Sequence, residues 1–211
     1  VDHCVGNVGL GEMDAFVDDT ASLALSTPEP PAIVGASLGG LAALIGIGLR
    51  RSVRATALVL VDIAPRIEMS GARRVLSFMA AYPDGFESLD AASRAIARYL
   101  NRDRPPRTDG LNRVLRPAGD RWLWHWDPHV LNGIGRLLDG DDATAAARAE
   151  VVSDLLHEAA RNLDLPTLLV RGGLSDVVSQ EGADEFLRAA PQARFVDVTD
   201  AGHMVAGDQN D

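Results

Sequence analysis

Two short runs, Ala32-Ile33-Val34-Gly35 and Ala57-Leu58-Val59-Leu60-Val61-Asp62, are apolar throughout, apart from the closing Asp62. A strand with one wet face alternates polar and apolar residues. A strand that does not alternate is covered on both faces, which implies a parallel sheet with helices packed against it. Thr167-Leu168-Leu169-Val170, after Pro166, and Ala193-Arg194-Phe195-Val196-Asp197-Val198 continue the series. The intervening periodicity is helical. Met13, Phe16, Val17, Thr20 and Leu23 mark one helix within Glu12 to Leu25. Leu38 to Arg51 forms another, its closing arginines suited to a helix C-terminus. A third runs from a Ser179 cap to Ala190. The fold class is therefore α/β, with a mostly parallel sheet flanked by helices.

The middle of the chain has a different character. From Pro65 to Leu163 no comparable strand occurs. Leu89, Ala92, Ile96 and Tyr99 are spaced as on a helix capped by Ser88. Val151, Val152, Leu155, Leu156 and Ala159 repeat the pattern within Ala145 to Leu163. Residues 66–163 are thus expected to be an inserted helical cap, dividing a core made of residues 1–65 and 164–211. The tract from Arg121 to His129 holds every tryptophan, and alternation puts Trp122, Trp124 and Trp126 on one face. They either line an apolar substrate pocket or pack a lid onto its core. His125, Asp127 and His129 have ligand-like spacing, but Pro128 interrupts any helix and no further ligand cluster accompanies them. No metal is expected.

Composition removes several function classes. The net charge is −10, with 20 basic residues among 30 acids, which excludes a nucleic-acid partner on electrostatic grounds. All the basic residues are arginines. Without lysine there is no Schiff-base chemistry and no Walker-type phosphate loop. A single cysteine, Cys4, excludes an internal disulfide and a cysteine-based zinc site. Ala32 to Leu49 carries no charge and touches the lower length limit of a membrane helix. Pro30-Pro31 before it and five glycines within it instead suggest a buried strand, a tight turn and a buried helix. No membrane partner is expected. The sequence opens on Val1-Asp2 and shows no basic n-region, so a cytoplasmic location is expected.

The turn in that uncharged stretch is Gly35-Ala36-Ser37-Leu38-Gly39, a G-x-S-x-G pattern lying between strand and helix. That context makes it a nucleophile elbow. The serine is held in a strained turn, and Gly35 and Gly39 are expected to be the positions where a Cβ would crowd strand against helix. The Leu38 N–H, at the start of the helix, can face a developing oxyanion. A serine needs a base that is itself oriented by an acid. His203 follows the last strand, and Asp176 follows the strand before it, so both fall at the carboxyl edge of a parallel sheet. Asp62, at the end of the second strand, competes for the acid role. Asp176 is favoured because its longer loop can turn a carboxylate towards His203.

Ile33–Gly40 (IVGASLGG), Leu58–Pro65 (LVLVDIAP), Leu165–Val178 (LPTLLVRGGLSDVV) and Ala201–Gly207 (AGHMVAG) together resemble the α/β-hydrolase superfamily. The likeness extends to its bacterial esterases, cofactor-free non-haem peroxidases and C–C hydrolases. It spans the chain from about residue 12 to the end, with the serine–acid–histidine order of that superfamily. The resemblance implies Ser37 as nucleophile, His203 as base, Asp176 as orienting acid and residues 66–163 as lid. It argues against epoxide hydrolases and haloalkane dehalogenases, which carry Asp in place of Ser37. The expected activity is hydrolysis of an ester or similar small carbonyl substrate without a cofactor. C–C hydrolysis, perhydrolysis or a non-catalytic binding remnant are the alternatives. Strands and an H-G-type motif that normally precede the elbow have no counterpart in Val1–Leu10. The sheet is therefore expected to be incomplete on its N-terminal side, and self-association into a homo-oligomer is possible through the exposed edge.

Overall fold

A computed structural model describes residues 13–101, 108–127, 130–131 and 142–205. In chain order these form α1 (Asp14–Leu25), β1 (Ala32–Ala36), α2 (Leu38–Leu44), β2 (Ala57–Val61), α3 (Met69–Ala80), α4 (Leu89–Tyr99), β3 (Leu115–Ala118), β4 (Arg121–Trp124), α5 (Asp142–Arg161), β5 (Thr167–Gly172), α6 (Gln180–Ala189) and β6 (Arg194–Val198). A π-helical turn, Ile45–Leu49, prolongs α2.

Four strands make one sheet in the order β1-β2-β5-β6, every pairing parallel. Ala36 lies opposite Val61, Val61 opposite Val170, and Gly172 opposite Val198. Parallel strands all end on the same side, so the residues that follow them collect along one edge. Leu58 and Leu60 of β2 and Leu169 of β5 are wholly buried. So are Leu44 and Ile45 of the α2 segment, Leu156 of α5 and Phe186 of α6. β1 differs from the expected doubly covered strand: Val34 is 69% exposed, and among the described residues β1 lies at the sheet edge.

The chain divides into two compact units, Val1–Ala72 with Asp139–Asp211, and Arg73–Leu138. This redraws the insertion expected over 66–163. α5 belongs to the first unit, where it packs against the π-helical turn and α6. Its apolar stripe buries Leu156, Ala159 and Ala160 and therefore serves the sheet-bearing core. The second unit is also not purely helical. β3 and β4 form an antiparallel hairpin, and Phe86 bridges to Trp122. The expected cap on α4 is present, with Ser88 Oγ accepting the Ala91 N–H at 3.1 Å. The stretch from Ala32 to Leu49 is strand, turn and helix as expected. Among the described residues no helix is long and apolar enough to cross a membrane.

Candidate active site

β1 ends at Ala36 and α2 begins at Leu38, so the chain reverses at a single residue, Ser37. Its backbone sits at φ 47°, ψ −120°, a conformation that costs a residue with a Cβ about 1–3 kcal/mol. Two backbone hydrogen bonds hold it there: Ser37 N–H to Val61 O at 3.1 Å, and Leu41 N–H to Ser37 O at 3.0 Å. The reversal presses Gly40 onto Gly35. A Cβ on Gly35 would lie 2.6 Å from Gly40 Cα, and one on Gly40 would lie 2.5 Å from Ile63 Cγ2. Gly39 faces open space. The steric demand read from the sequence at Gly35 and Gly39 therefore rests on Gly35 and Gly40, one helix position further on.

His203 comes from the segment after β6 and reaches Ser37 as the chain order suggested. Its Nε2 lies 3.2 Å from Ser37 Oγ, and its Nδ1 lies 2.8 Å from a carboxylate oxygen. That oxygen is Oδ2 of Asp62, so the expectation that Asp176 faces His203 is corrected. Asp62 directly follows β2, the strand beside β1, and needs no loop to reach the site. A left-handed backbone, φ 49°, turns its side chain into the sheet edge. There it is fully buried. Gly172 N–H at the end of β5 donates to Oδ1 at 2.8 Å, and Ser175 Oγ–H donates to Oδ2 at 2.5 Å. Asp176 lies beyond the tip of the β5 loop, its carbonyl packed where a Cβ on Gly71 would be.

Sequence reasoning passed over Ser175. Its Oγ accepts the N–H groups of Val177 and Val178 at 3.1 and 3.2 Å, a turn of the kind serine makes with amides two and three residues ahead. That local signal was available. Its meaning depends on Asp62, which is 113 residues away.

Further contacts join the loops after β2 and β5. Glu68 N–H donates to Val177 O at 2.9 Å, and Ser179 Oγ–H donates to Glu68 Oε1 at 2.6 Å. Arg66 reaches Glu185 at 2.9 Å and Glu181 at 3.1 Å on α6. Hydrogen bonding to Glu185, then to Glu181, raises its pKa above the ordinary arginine value, so it stays protonated wherever the fold persists.

Leu38 opens α2, and its N–H lies in the first turn, where amides have no intrahelical acceptor. Trp122 and Trp124 belong to the second unit's own core, packing against a cluster that includes Phe86 and Leu115. Trp124 meets Phe86 edge-on at 5.3 Å and stacks with Trp126 at 5.9 Å. These ring contacts lie within the second unit, and Trp124 Nε1 is buried there without a hydrogen-bond partner among the described residues. Among the described residues no three His, Cys, Asp or Glu side chains group to hold a metal, and His129 lies outside those residues.

A model of the alpha/beta hydrolase family matches residues 4–211. The 3-hydroxybutyrate-oligomer hydrolase of Cupriavidus necator is 27% identical over 179 residues, covering 80% of this chain and 57% of that protein. The chain therefore spans little more than half of this curated relative. Among solved structures, E-2-(acetamidomethylene)succinate hydrolase aligns with TM-score 0.69 at 22% identity, covering 99% of this chain and 72% of the other. At that identity the likeness concerns the fold alone. An esterase of Mycobacterium tuberculosis aligns with TM-score 0.62 at 26% identity, covering 94% and 64%. With the family model matching almost from end to end, the chain belongs to the alpha/beta hydrolase family.

Proposed function

We propose that this chain is a serine hydrolase acting on an ester or similar small carbonyl compound through an acyl-enzyme. The observation that carries the reading is that one imidazole, His203, bonds Ser37 and Asp62 at once. With its Nδ1 proton held by Asp62, the ring presents the Nε2 lone pair to the Ser37 hydroxyl. Ser37 Oγ attacks the substrate carbonyl carbon while its proton passes to Nε2. The carbonyl π electrons move onto oxygen, where the Leu38 N–H faces the developing charge. Collapse breaks the bond to the leaving group, which takes the proton from Nε2. Water then attacks the acyl group, giving one proton to Nε2, and Ser37 Oγ recovers that proton as the acid departs. The likeness to an esterase of Mycobacterium tuberculosis supports an ester as substrate.

The test is a fluorophosphonate probe followed by peptide mapping. A single label on Ser37, lost in Ser37→Ala together with about 10⁴–10⁶-fold of kcat, is the expected result. Labelling at another residue, or unchanged activity in the variant, overturns the assignment. A chain that takes no label is a non-catalytic relative.

A further inference from the structure

We propose that Ser175 is a positioning residue for the acid of this site, an inference that rests on the triad reading above. The Asp62 carboxylate has no exposed surface and accepts three hydrogen bonds: Gly172 N–H on Oδ1, and His203 Nδ1 and Ser175 Oγ on Oδ2. A hydroxyl has one proton and two lone pairs. The N–H groups of Val177 and Val178, both buried residues, occupy the two lone pairs of Ser175. The single proton is therefore committed to Asp62, at 2.5 Å, the length of a charge-assisted O–H···O⁻ bond.

Ser175 thus pins the oxygen that His203 uses. Gly172 alone would leave the carboxylate free to pivot about Oδ1, and Oδ2 would drift from the imidazole. The loss falls on the chemical step, because the imidazolium that Asp62 must face exists only once proton transfer has begun. Substrate binding does not draw on this contact.

Ser175→Ala should lower kcat on an activated ester by about 10- to 100-fold with KM little changed, the scale of one hydrogen bond to a buried charge. It should also displace the low-field proton resonance of the His203 Nδ1–H bond. Ser175→Thr, which keeps the hydroxyl, should recover most of both. Ser175→Val, which has the same shape without the hydroxyl, should not; this pair keeps the test open if Ser175→Ala folds poorly. Wild-type kcat and an unmoved resonance in Ser175→Val overturn the inference while leaving Ser37→Ala inactive. Activity persisting in Ser37→Ala overturns the triad reading itself.

Discussion

Asp62 Oδ2 stands 2.8 Å from His203 Nδ1 although 141 residues separate the two in sequence. The contact exists because β2 lies beside β1, which delivers Ser37, and because a left-handed residue at the end of β2 directs the carboxylate along the sheet edge. Asp62→Asn should cost on the order of 10⁴ in kcat, since an amide permits the wrong imidazole tautomer. Asp176→Asn should remain within a few-fold of the parent. Both are measured on one activated ester at one pH. A crippled Asp176→Asn beside a near-normal Asp62→Asn would restore the assignment made from loop length.

The two glycines inside α2 should respond oppositely to alanine. Gly39 is exposed with open space around its Cβ position, so Gly39→Ala should stabilise the helix by up to about 1 kcal/mol. Gly40→Ala drives a methyl into Ile63 and the Gly35 carbonyl, and should cost about 1–3 kcal/mol or more. Chemical denaturation of the two variants decides this. Equal destabilisation would mean that the turn relaxes around either methyl.

Much of the sheet was legible because buried parallel strands announce themselves as short apolar runs. Ala57–Val61 and Thr167–Gly172 lie where those runs occur. Ser37 and His203 were legible because their strand-end positions are readable along the chain. The acid was not, because choosing between Asp62 and Asp176 depends on strand order and backbone φ, and neither is periodic in sequence. The hairpin Leu115–Ala118 and Arg121–Trp124 was missed for a related reason. Alternation marked Trp122 and Trp124 as sharing a face, but the partner strand is four residues long and contains Pro117, so nothing periodic announced the pairing. Helix α5 was recognised as a helix but assigned to the insertion, since an apolar stripe does not say which core it faces.

Phe186 tests how far the core depends on α6. Its ring is fully buried, and α6 packs against both α5 and β6. Phe186→Ala should destabilise the protein by about 3–5 kcal/mol through lost burial and the cavity left behind. A shift in the urea midpoint below about 1 kcal/mol would mean that the neighbouring helices close the space.

The exposed edge of the sheet should govern self-association. Val34 is a large apolar residue, 69% exposed, on a strand whose outer backbone has no partner strand among the described residues. Unpaired N–H and C=O groups beside an apolar side chain form a template for another strand, and natural edges are guarded by charge, most often lysine. The 211-residue chain should therefore associate as its concentration rises, in sedimentation or size-exclusion measurements. Val34→Lys should move it towards monomer without altering its circular dichroism, since the side chain already lies in solvent. The fluorophosphonate reaction at Ser37, three residues further along, serves as an internal control that the elbow is intact. A parent chain that stays monomeric across the concentration range, or a Val34→Lys variant that associates as the parent does, would show that this edge is not the contact.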